Sequence, residues 1–493
     1  MATTLILGPP GTGKTTTLLD LVEESFRNGS RPDRVGFVSF TRKAVNEARA
    51  RACDQFAIDQ EDLVYYRTIH SLAFRQLGMS RQDVMGWKHF KELGHELGVR
   101  MTGRRLDDVG FISVGDQMVG LENRARLCCV TYKEAWEKWG GDLNWFQFDQ
   151  YTRSLQRYKD AHLLYDFTDM LERFLDTGVV PDLDLLVVDE AQDLSQLQWR
   201  IVERMRAAAT ETYVAGDDDQ AIFRWSGADV DYFLAAEFAD HQQVLDQSYR
   251  LPAAIHTLAE EVSGRIDRRF VKAFHPTEKQ GQVDYVASLD DADALETGDW
   301  LILVRNNYQI QGVLDHLRYC GYAYEAERDK PADNVALRAA YAWEALRAGH
   351  DVAYEDAVAV PAYLTHPVEG APGAWDQTRP VSASDFQAVT GASLQQHWYD
   401  ALGRMSVEDR EYFRAARRRN ENLRHPRIKV STIHGAKGGE CENVLLFTDV
   451  SNKTAQEMWR RPDDETRVFY VGVTRALSRL CIVQPQTPAH FSL

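Results

Sequence analysis

The chain has 493 residues and a formal net charge of −17, with 44% hydrophobic and 27% charged residues. This length exceeds what one hydrophobic core usually supports, so we expect several domains. The acidic balance argues against a protein that coats nucleic acid through bulk positive charge, but it does not exclude a local basic track. No stretch has the uninterrupted apolar length of a membrane helix, so we expect a cytoplasmic protein without membrane contacts.

The first predicted element is a strand that ends in a glycine-rich loop. Residues 4–7 read TLIL, residues 8–15 read GPPGTGKT, and apolar residues then recur at helical spacing. Glycines let backbone N–H groups turn towards phosphate oxygens, Lys14 adds a cation, and Thr15 offers a hydroxyl to Mg²⁺. The N-terminus of the following helix adds positive potential. The sequence therefore predicts a nucleotide-binding loop.

Two further predicted strands end in acidic or polar clusters. Residues 183–193 read LDLLVVDEAQD, and residues 212–220 read TYVAGDDDQ. Strands that feed such loops are typical of an open, mostly parallel α/β sheet. Asp189 and Glu190 could place one carboxylate near Mg²⁺ and another beside an attacking water, although an acidic pair after a strand is also a common helix N-cap. The phosphate loop in the same predicted sheet favours the catalytic interpretation.

The remaining pattern divides the chain into four segments. Residues 79–164 have helical patterns without strand-like runs, which predicts an inserted helical domain. A second α/β unit begins near residue 244, includes DWLILVRNN at residues 299–307, and resumes with IKVSTIHGAKGGE at residues 428–440. We expect the first α/β domain at 1–78 and 165–243, the helical insertion at 79–164, the second α/β domain at 244–326 and 427–493, and a second insertion at 327–426.

The cysteines are expected to be reduced thiols in the core or on the surface. The sequence contains no C-x-x-C pair and no paired clusters of cysteine and histidine with zinc spacing. The six residues concerned are Cys53, Cys128, Cys129, Cys320, Cys441 and Cys481.

The chain resembles superfamily 1 helicases of the UvrD/PcrA/Rep type through an ordered set of motifs. The resemblance implies an α/β fold of two RecA-like motor domains with mostly parallel sheets, each interrupted by an inserted, mainly helical subdomain, the second of them shortened. The motifs that follow GPPGTGKT are FTRKAVNEA at 40–48, TIHSLAF at 68–74, VVDEAQD at 187–193, GDDDQAIFRWSGA at 216–228, LDQSYRLP at 245–252, STIHGAKGGE at 431–440 and FYVGVTRA at 469–476.

The resemblance implies a site for ATP and Mg²⁺ at the first loop. Lys14 would contact the β- and γ-phosphates, Thr15 and Asp189 would bind the metal, and Glu190 would act as general base for water. The implied nucleotide-binding residues of the loop are Gly8, Gly11, Thr12, Gly13, Lys14, Thr15 and Thr16.

Further implied residues lie outside that loop. Gln220 would sense the γ-phosphate, while Arg250 and Arg475 would reach across from the second α/β domain as arginine fingers. Tyr249 resembles the family tyrosine that stacks on adenine, and Glu440 resembles the residue that contacts the ribose. A half-buried core position is the alternative for Tyr249.

The resemblance also implies a track for single-stranded DNA. Aromatic faces grip such a strand without reading its sequence, and Trp225 is the expected stacking platform. Each aromatic residue considered singly is also compatible with a core position. The implied DNA-binding residues are Phe40, Thr41, Arg42, His70, Phe223, Trp225, Thr432 and His434.

The predicted function is an ATP-dependent motor on single-stranded DNA and its junctions with duplex, which moves from 3′ to 5′ by resemblance. We expect a monomer that unwinds DNA in replication, repair or recombination, with replication or repair proteins as partners. RNA is also possible as the track, since aromatic side chains stack on the bases of RNA as well as on those of DNA. The alternative is a nucleotide-switched DNA-binding or adaptor protein with little unwinding, which Glu190, Gln220 and the two arginines disfavour. A metabolic kinase is disfavoured by Trp225 and Arg475.

Overall fold

The computed structural model describes residues 2–40, 42–102, 113–291, 295, 297–366 and 375–493. Its strands form two parallel sheets of six, in the orders β3-β2-β4-β5-β1-β6 and β7-β12-β11-β8-β10-β9. The first sheet comprises β1 (Ala2–Leu7), β2 (Val35–Ser39), β3 (Tyr65–Thr68), β4 (Leu183–Asp189), β5 (Ala209–Gly216) and β6 (His241–Val244). The second comprises β7 (Gln282–Val286), β8 (Trp300–Val304), β9 (Tyr324–Ala326), β10 (Ile428–Thr432), β11 (Cys441–Phe447) and β12 (Ala476–Val483).

Helices cover both sheets and form the two insertions. None of the described helices is both long and apolar enough to cross a lipid bilayer. In chain order they are α1 (Lys14–Arg27), α2 (Arg42–Phe56), α3 (Ile69–Gln76), α4 (Trp87–Glu96), α5 (Val114–Leu127), α6 (Tyr132–Trp139), α7 (Trp145–His162), α8 (Phe167–Thr177), α9 (Gln196–Arg206), α10 (Val230–Ala235), α11 (Ala253–Ser263), α12 (Asn307–Cys320), α13 (Val335–Arg347), α14 (Tyr354–Ala359), α15 (Ala383–Thr390), α16 (Trp398–Ala401), α17 (Val407–Arg418), α18 (Asn452–Arg460) and α19 (Pro462–Val473).

The first sheet is buried on both faces, which explains its nearly continuous apolar strands. Leu5 and Leu7 pack with residues of α3, α8 and α9, whereas Ile6 packs with residues of α1 and α2 on the opposite face. In register, Leu7 lies beside Gly216 and Ser39 lies beside Asp189. The loops that follow these strands therefore emerge together at one edge of the sheet. We call this sheet and its helices the first lobe.

The second sheet is covered in a different way. On one face it packs against α11 and α19, with Leu251 and Phe274 in that core. On the other face its core is continuous with α13 to α17, so the second insertion has no separate core among the described residues. We call the second sheet with α11, α12, α18, α19 and the segment from 245 to 275 the second lobe. By contrast, α4 to α7 of the first insertion share a core of their own that includes Phe148 and Tyr151.

These observations confirm the predicted fold class, with two RecA-like parallel sheets and mainly helical insertions. The strand that precedes the 216–228 motif begins at residue 209, three residues before the apolar run expected from the sequence. The boundaries proposed for the four segments stay a prediction.

Candidate nucleotide and nucleic-acid site

The glycine-rich loop is a compact turn between β1 and α1. The Gly8 N–H donates to the carbonyl of Gly216 at 3.1 Å, which ties the loop to the end of β5. Gly11 and Gly13 have φ of 74° and 78°, in the left-handed region that favours glycine. Lys14 folds back over the loop, and its Nζ donates to the carbonyl of Gly8 at 2.6 Å. A Cβ at Gly8 would collide with the Lys14 side chain, so this close approach requires glycine.

A segment of the second lobe is docked on this loop. The Tyr249 N–H donates to the carbonyl of Gly11 at 2.8 Å, and Ser248 Oγ donates to the carbonyl of Pro10 at 2.8 Å. A Cβ at Gly11 would collide with Arg250 Cβ. The ring of Tyr249 lies beside the loop but is 76% exposed, an exposure that the core alternative does not explain. Tyr249 and Arg250 therefore stand next to the predicted phosphate site.

The two predicted catalytic carboxylates differ in their electrostatic surroundings. Asp189 is 1% exposed, and burial, reinforced by the neighbouring Glu190 charge, raises the pKa of its carboxyl to about 7. Burial also opposes ionisation of Glu190, but Lys14, Lys437 and a hydrogen bond outweigh it, so its pKa lies below the usual value. That hydrogen bond comes from Gln192 Nε2 at 2.6 Å. Glu190 is thus ionised and suited to accept a proton, while a divalent cation would favour the ionised form of Asp189.

The backbone of Glu190 is also unusual. Its φ of 53° places a residue with a side chain in the left-handed region, at a cost of about 1–3 kcal/mol. The turn begins where β4 ends, and the Glu190 N–H donates to Asp189 Oδ1 at 2.9 Å. Such outliers persist where surrounding contacts hold them, and here the amide of Gln192 fixes the Glu190 carboxylate.

The predicted arginines meet partners from both lobes. Arg475 is 1% exposed and donates to Gln220 Oε1 at 2.9 Å and to the carbonyl of Gly439 at 3.0 Å. Burial, with the charge of Arg250, lowers the pKa of Arg475 to about 9, so the guanidinium stays protonated at neutral pH. Arg250 pairs with Glu440 at 2.5 Å, and Arg250 Nε has no partner among the described residues. The residues expected to contact ribose and γ-phosphate are therefore ion-paired to each other.

Lys437 is a member of this site that the sequence reasoning did not single out. Its Nζ donates to Asp193 Oδ2 at 2.5 Å and to the carbonyl of Gln220 at 2.6 Å. Lys437 belongs to the second lobe, whereas Asp193 and Gln220 belong to the first. Its position inside the 431–440 motif was the signal that could have identified it.

Several predicted DNA-binding residues form one aromatic cluster between the lobes. Phe223 stacks on Phe40 with ring centroids 5.5 Å apart, and lies 6.4 Å from Trp225 and 6.1 Å from His434. Trp225 Nε1 and His434 Nε2 are buried without a hydrogen-bond partner in the described chain. Burial, with the charge of Arg305, holds the pKa of His434 well below its usual value, so the ring is neutral. Neutral ring faces of this kind suit stacking with bases.

The other described residues predicted to bind DNA do not lie in this aromatic cluster. His70 packs edge-on against Phe167, with centroids 6.1 Å apart, rather than in the cluster. Thr432 Oγ1 accepts the N–H of Gly435 at 3.1 Å, and Arg42 is exposed at the start of α2. Thr41 lies outside the described residues.

Two other loop threonines were predicted to bind nucleotide. Thr16 is exposed and accepts a long contact of 3.5 Å from Arg51, and Thr12 Oγ1 donates to the carbonyl of Pro9 at 2.8 Å. The predicted donors for Mg²⁺ are the Thr15 hydroxyl and the Asp189 carboxylate, which are hard oxygen ligands of the kind that Mg²⁺ takes alongside phosphates. The residues present therefore fit this ion.

A buried charge cluster joins the lobes beside the site. Asp217 and Asp219 each lie 3.0 Å from the Lys272 Nζ, which also contacts Asp218. Arg269 binds Asp219 through two hydrogen bonds of 2.9 and 2.6 Å. All three carboxylates are 0% exposed. No local sequence pattern connects residues 269 and 272 with this acidic run.

Two family models match the chain. The UvrD/REP helicase N-terminal domain matches residues 1–239, and the UvrD-like helicase C-terminal domain matches residues 411–487. Together these ranges cover more than half of the chain.

Curated proteins with similar sequences are named as DNA helicases. The putative ATP-dependent DNA helicase YjcD of Bacillus subtilis is 23% identical over 66% of this chain and 47% of its own length. The ATP-dependent DNA helicase Rep of Buchnera aphidicola is 22% identical over 62% of this chain and 50% of its own length. UvrD2 of Mycobacterium tuberculosis is 25% identical over 97% of this chain and 76% of its own length. The chain thus spans about half the length of YjcD and Rep.

Among solved structures, an arterivirus nonstructural protein 10 helicase aligns with 99% of this chain and 60% of its own. Its TM-score of 0.35 and sequence identity of 12% are too low to support a statement about this chain.

Proposed function

Because the chain belongs to the UvrD/Rep family of superfamily 1 helicases, we propose that it is an ATP-driven motor that moves along single-stranded DNA. The observation that carries the proposal is the contact of Arg475 with Gln220, together with the docking of Arg250 on the glycine-rich loop. Both arginines come from the second lobe and reach groups of the first. Hydrolysis that needs both lobes would respond to their closure.

In the proposed reaction, the first lobe binds the triphosphate and activates water. The loop N–H groups and Lys14 hold the phosphates, and Glu190, which is ionised, accepts a proton from the attacking water. Mg²⁺, held by Thr15 and Asp189, would neutralise charge on the β- and γ-phosphate oxygens. Arg250 and Arg475 stabilise the charge that develops on the transferred phosphoryl group.

Coupling to DNA is proposed to run through the loop after β5. Gln220 at one end of this loop contacts Arg475, and Trp225 lies five residues further on in the aromatic cluster. The cluster includes Phe40 and Phe223 of the first lobe and His434 of the second. A change in lobe closure would therefore change the grip on a stacked strand, which is the requirement for stepwise movement.

Further properties are proposed from family membership. We propose 3′ to 5′ movement, action at junctions of single-stranded and duplex DNA, and work as a monomer alongside replication or repair proteins. The 3′ to 5′ proposal carries the sharpest test, because a motor with one direction of movement reaches the duplex only from an overhang of the matching polarity.

The test is strand displacement on matched substrates with a 3′ or a 5′ overhang of DNA or RNA, with Lys14→Ala as control. We expect ATP-dependent displacement of the 3′-overhang DNA substrate by the wild type and none by the variant. Preference for the 5′ overhang would overturn the direction, and preference for RNA would overturn the substrate. Tight ATP-dependent binding without displacement of any substrate would favour the adaptor alternative.

A further inference from the structure

A second group of metal-ligating side chains lies in the second lobe, outside the nucleotide site. Among the described residues, two groups of three such side chains have their ligand atoms within 4.8 Å of one another. One is the aspartate run at 217–219, which already holds the ammonium of Lys272. The other consists of Asp290, His316 and Cys320. Their donors are an oxygen, a nitrogen and a sulfur.

The distances from the His316 donor to the other two donors match the edges of a tetrahedral site. His316 Nε2 lies 3.4 Å from Cys320 Sγ and 3.5 Å from Asp290 Oδ1. Zinc bonds of about 2.0 Å to nitrogen and oxygen and about 2.3 Å to sulfur place tetrahedral ligand atoms about 3.3 to 3.6 Å apart. A cation could therefore enter with small side-chain shifts.

The helix geometry explains why two of the donors meet. His316 and Cys320 are one turn apart on α12, so they share a face of the helix. Both stand near the C-terminal end of α12, where the helix dipole favours positive charge. Arg419 Nε donates to the carbonyl oxygen of Cys320 at 2.6 Å, which fixes the backbone at the end of α12. The third ligand, Asp290, comes from the loop after β7.

We propose that Asp290, His316 and Cys320 bind one divalent cation of the zinc class. The thiolate and imidazole donors select such a cation over Mg²⁺ or Ca²⁺, which prefer oxygen ligands. Asp290 has a side chain that is 77% exposed, so the fourth position is open to solvent. The bound cation would tie the loop after β7 to the end of α12. This link between two segments does not depend on the proposed motor function.

The test is titration of the full-length protein with Co²⁺, followed by absorption spectroscopy. A thiolate ligand to Co²⁺ gives a charge-transfer band in the near ultraviolet, which Mg²⁺ sites built from oxygen cannot produce. We expect the wild type to develop this band with one Co²⁺ per chain and to lose it when Zn²⁺ is added. We expect Cys320→Ser and His316→Gln to abolish the band and Asp290→Asn to weaken binding. Cys129→Ser, which removes an exposed thiol elsewhere, should keep the band.

A second measurement separates binding from folding. Zn²⁺ should raise the Tm of the wild type and of Cys129→Ser but not that of Cys320→Ser, since only a chain that binds the ion is stabilised by it. Circular dichroism of the metal-free proteins should be the same for all variants. The proposal is overturned if the wild type shows no band, or if the band persists in Cys320→Ser or His316→Gln. In that case the three residues form only an ion pair and a thiol hydrogen bond.

Discussion

The two lobes are built on sheets of the same size and the same parallel arrangement, but in the site between them the first lobe contributes mainly carboxylates and the second mainly cations. The first lobe supplies the glycine loop and carboxylates, among them Glu190 and the three aspartates at 217–219. The second lobe supplies cations that reach the first lobe, among them Arg250, Lys272 and Arg475. Neither lobe therefore holds a complete site.

The largest effect is expected from removing a cation that reaches the proposed transition state. Arg475→Ala should lower the rate of ATP hydrolysis by about 10³-fold or more, the scale of an arginine finger. Arg475→Lys should recover little, because a single ammonium cannot replace the planar group that contacts Gln220 and Gly439 together. Single-turnover hydrolysis, with saturating enzyme in excess over ATP, measures this rate.

The matched control for this change is Arg479→Ala. Arg479 lies on β12, four residues further on, and pairs with Asp284 at 2.7 Å within the second lobe. Its removal should leave hydrolysis nearly unchanged. Equal losses in the two variants would show that Arg475 acts through the stability of the second lobe rather than on the phosphates.

A second large effect is expected in stability. Lys272→Met removes the cation shared by three buried carboxylates and should lower the free energy of unfolding by about 3–5 kcal/mol. Urea denaturation at neutral pH measures the loss.

Arg268→Met provides the comparison for Lys272. Arg268 pairs with Asp231 across the same boundary, but its side chain is 67% exposed. This exposed pair should contribute at most about 1 kcal/mol. A loss for Arg268→Met as large as that for Lys272→Met would contradict the view that burial makes the cation essential.

A smaller effect is expected at the aromatic cluster, which both lobes share. Trp225→Ala should weaken binding to single-stranded DNA by about 1–3 kcal/mol, the range for loss of one stacked base. Fluorescence anisotropy at one fixed salt concentration measures the affinity. Trp459→Ala, which removes a 90% exposed tryptophan on α18, should have no such effect. Equal affinities for the two variants would remove Trp225 from the proposed track.

The smallest effect is expected in the pH dependence of stability, at a histidine inside the first lobe. Burial lowers the pKa of His70 to about 4, whereas in the unfolded chain it titrates near 6.5. Between these values the unfolded state binds the extra proton, so stability falls as the pH falls. From pH 7 to pH 5.5 the wild type should lose about 1 kcal/mol more unfolding free energy than His70→Gln. Parallel losses in the two proteins would show that His70 is protonated in the folded state.

The elements that carry local patterns were predictable from the sequence. The loop at 8–15 and the end of β4 combine apolar runs with glycine and carboxylate residues, and these patterns alone predict both elements. Contacts between distant segments left no such pattern. Lys272 lies more than fifty residues from the aspartates it neutralises, and nothing in its local sequence indicates burial. The pairing of Asp290 with His316 was hidden for the same reason.

In the proposed motor, ATP turnover requires both lobes and responds to a strand held between them. Steady-state ATP hydrolysis by the wild type, measured with and without an oligothymidine strand at constant salt, tests it most directly, with Lys14→Ala as the control. We predict that the strand raises turnover by the wild type and that the variant shows no turnover in either condition. Wild-type turnover that is the same with and without the strand would contradict the account.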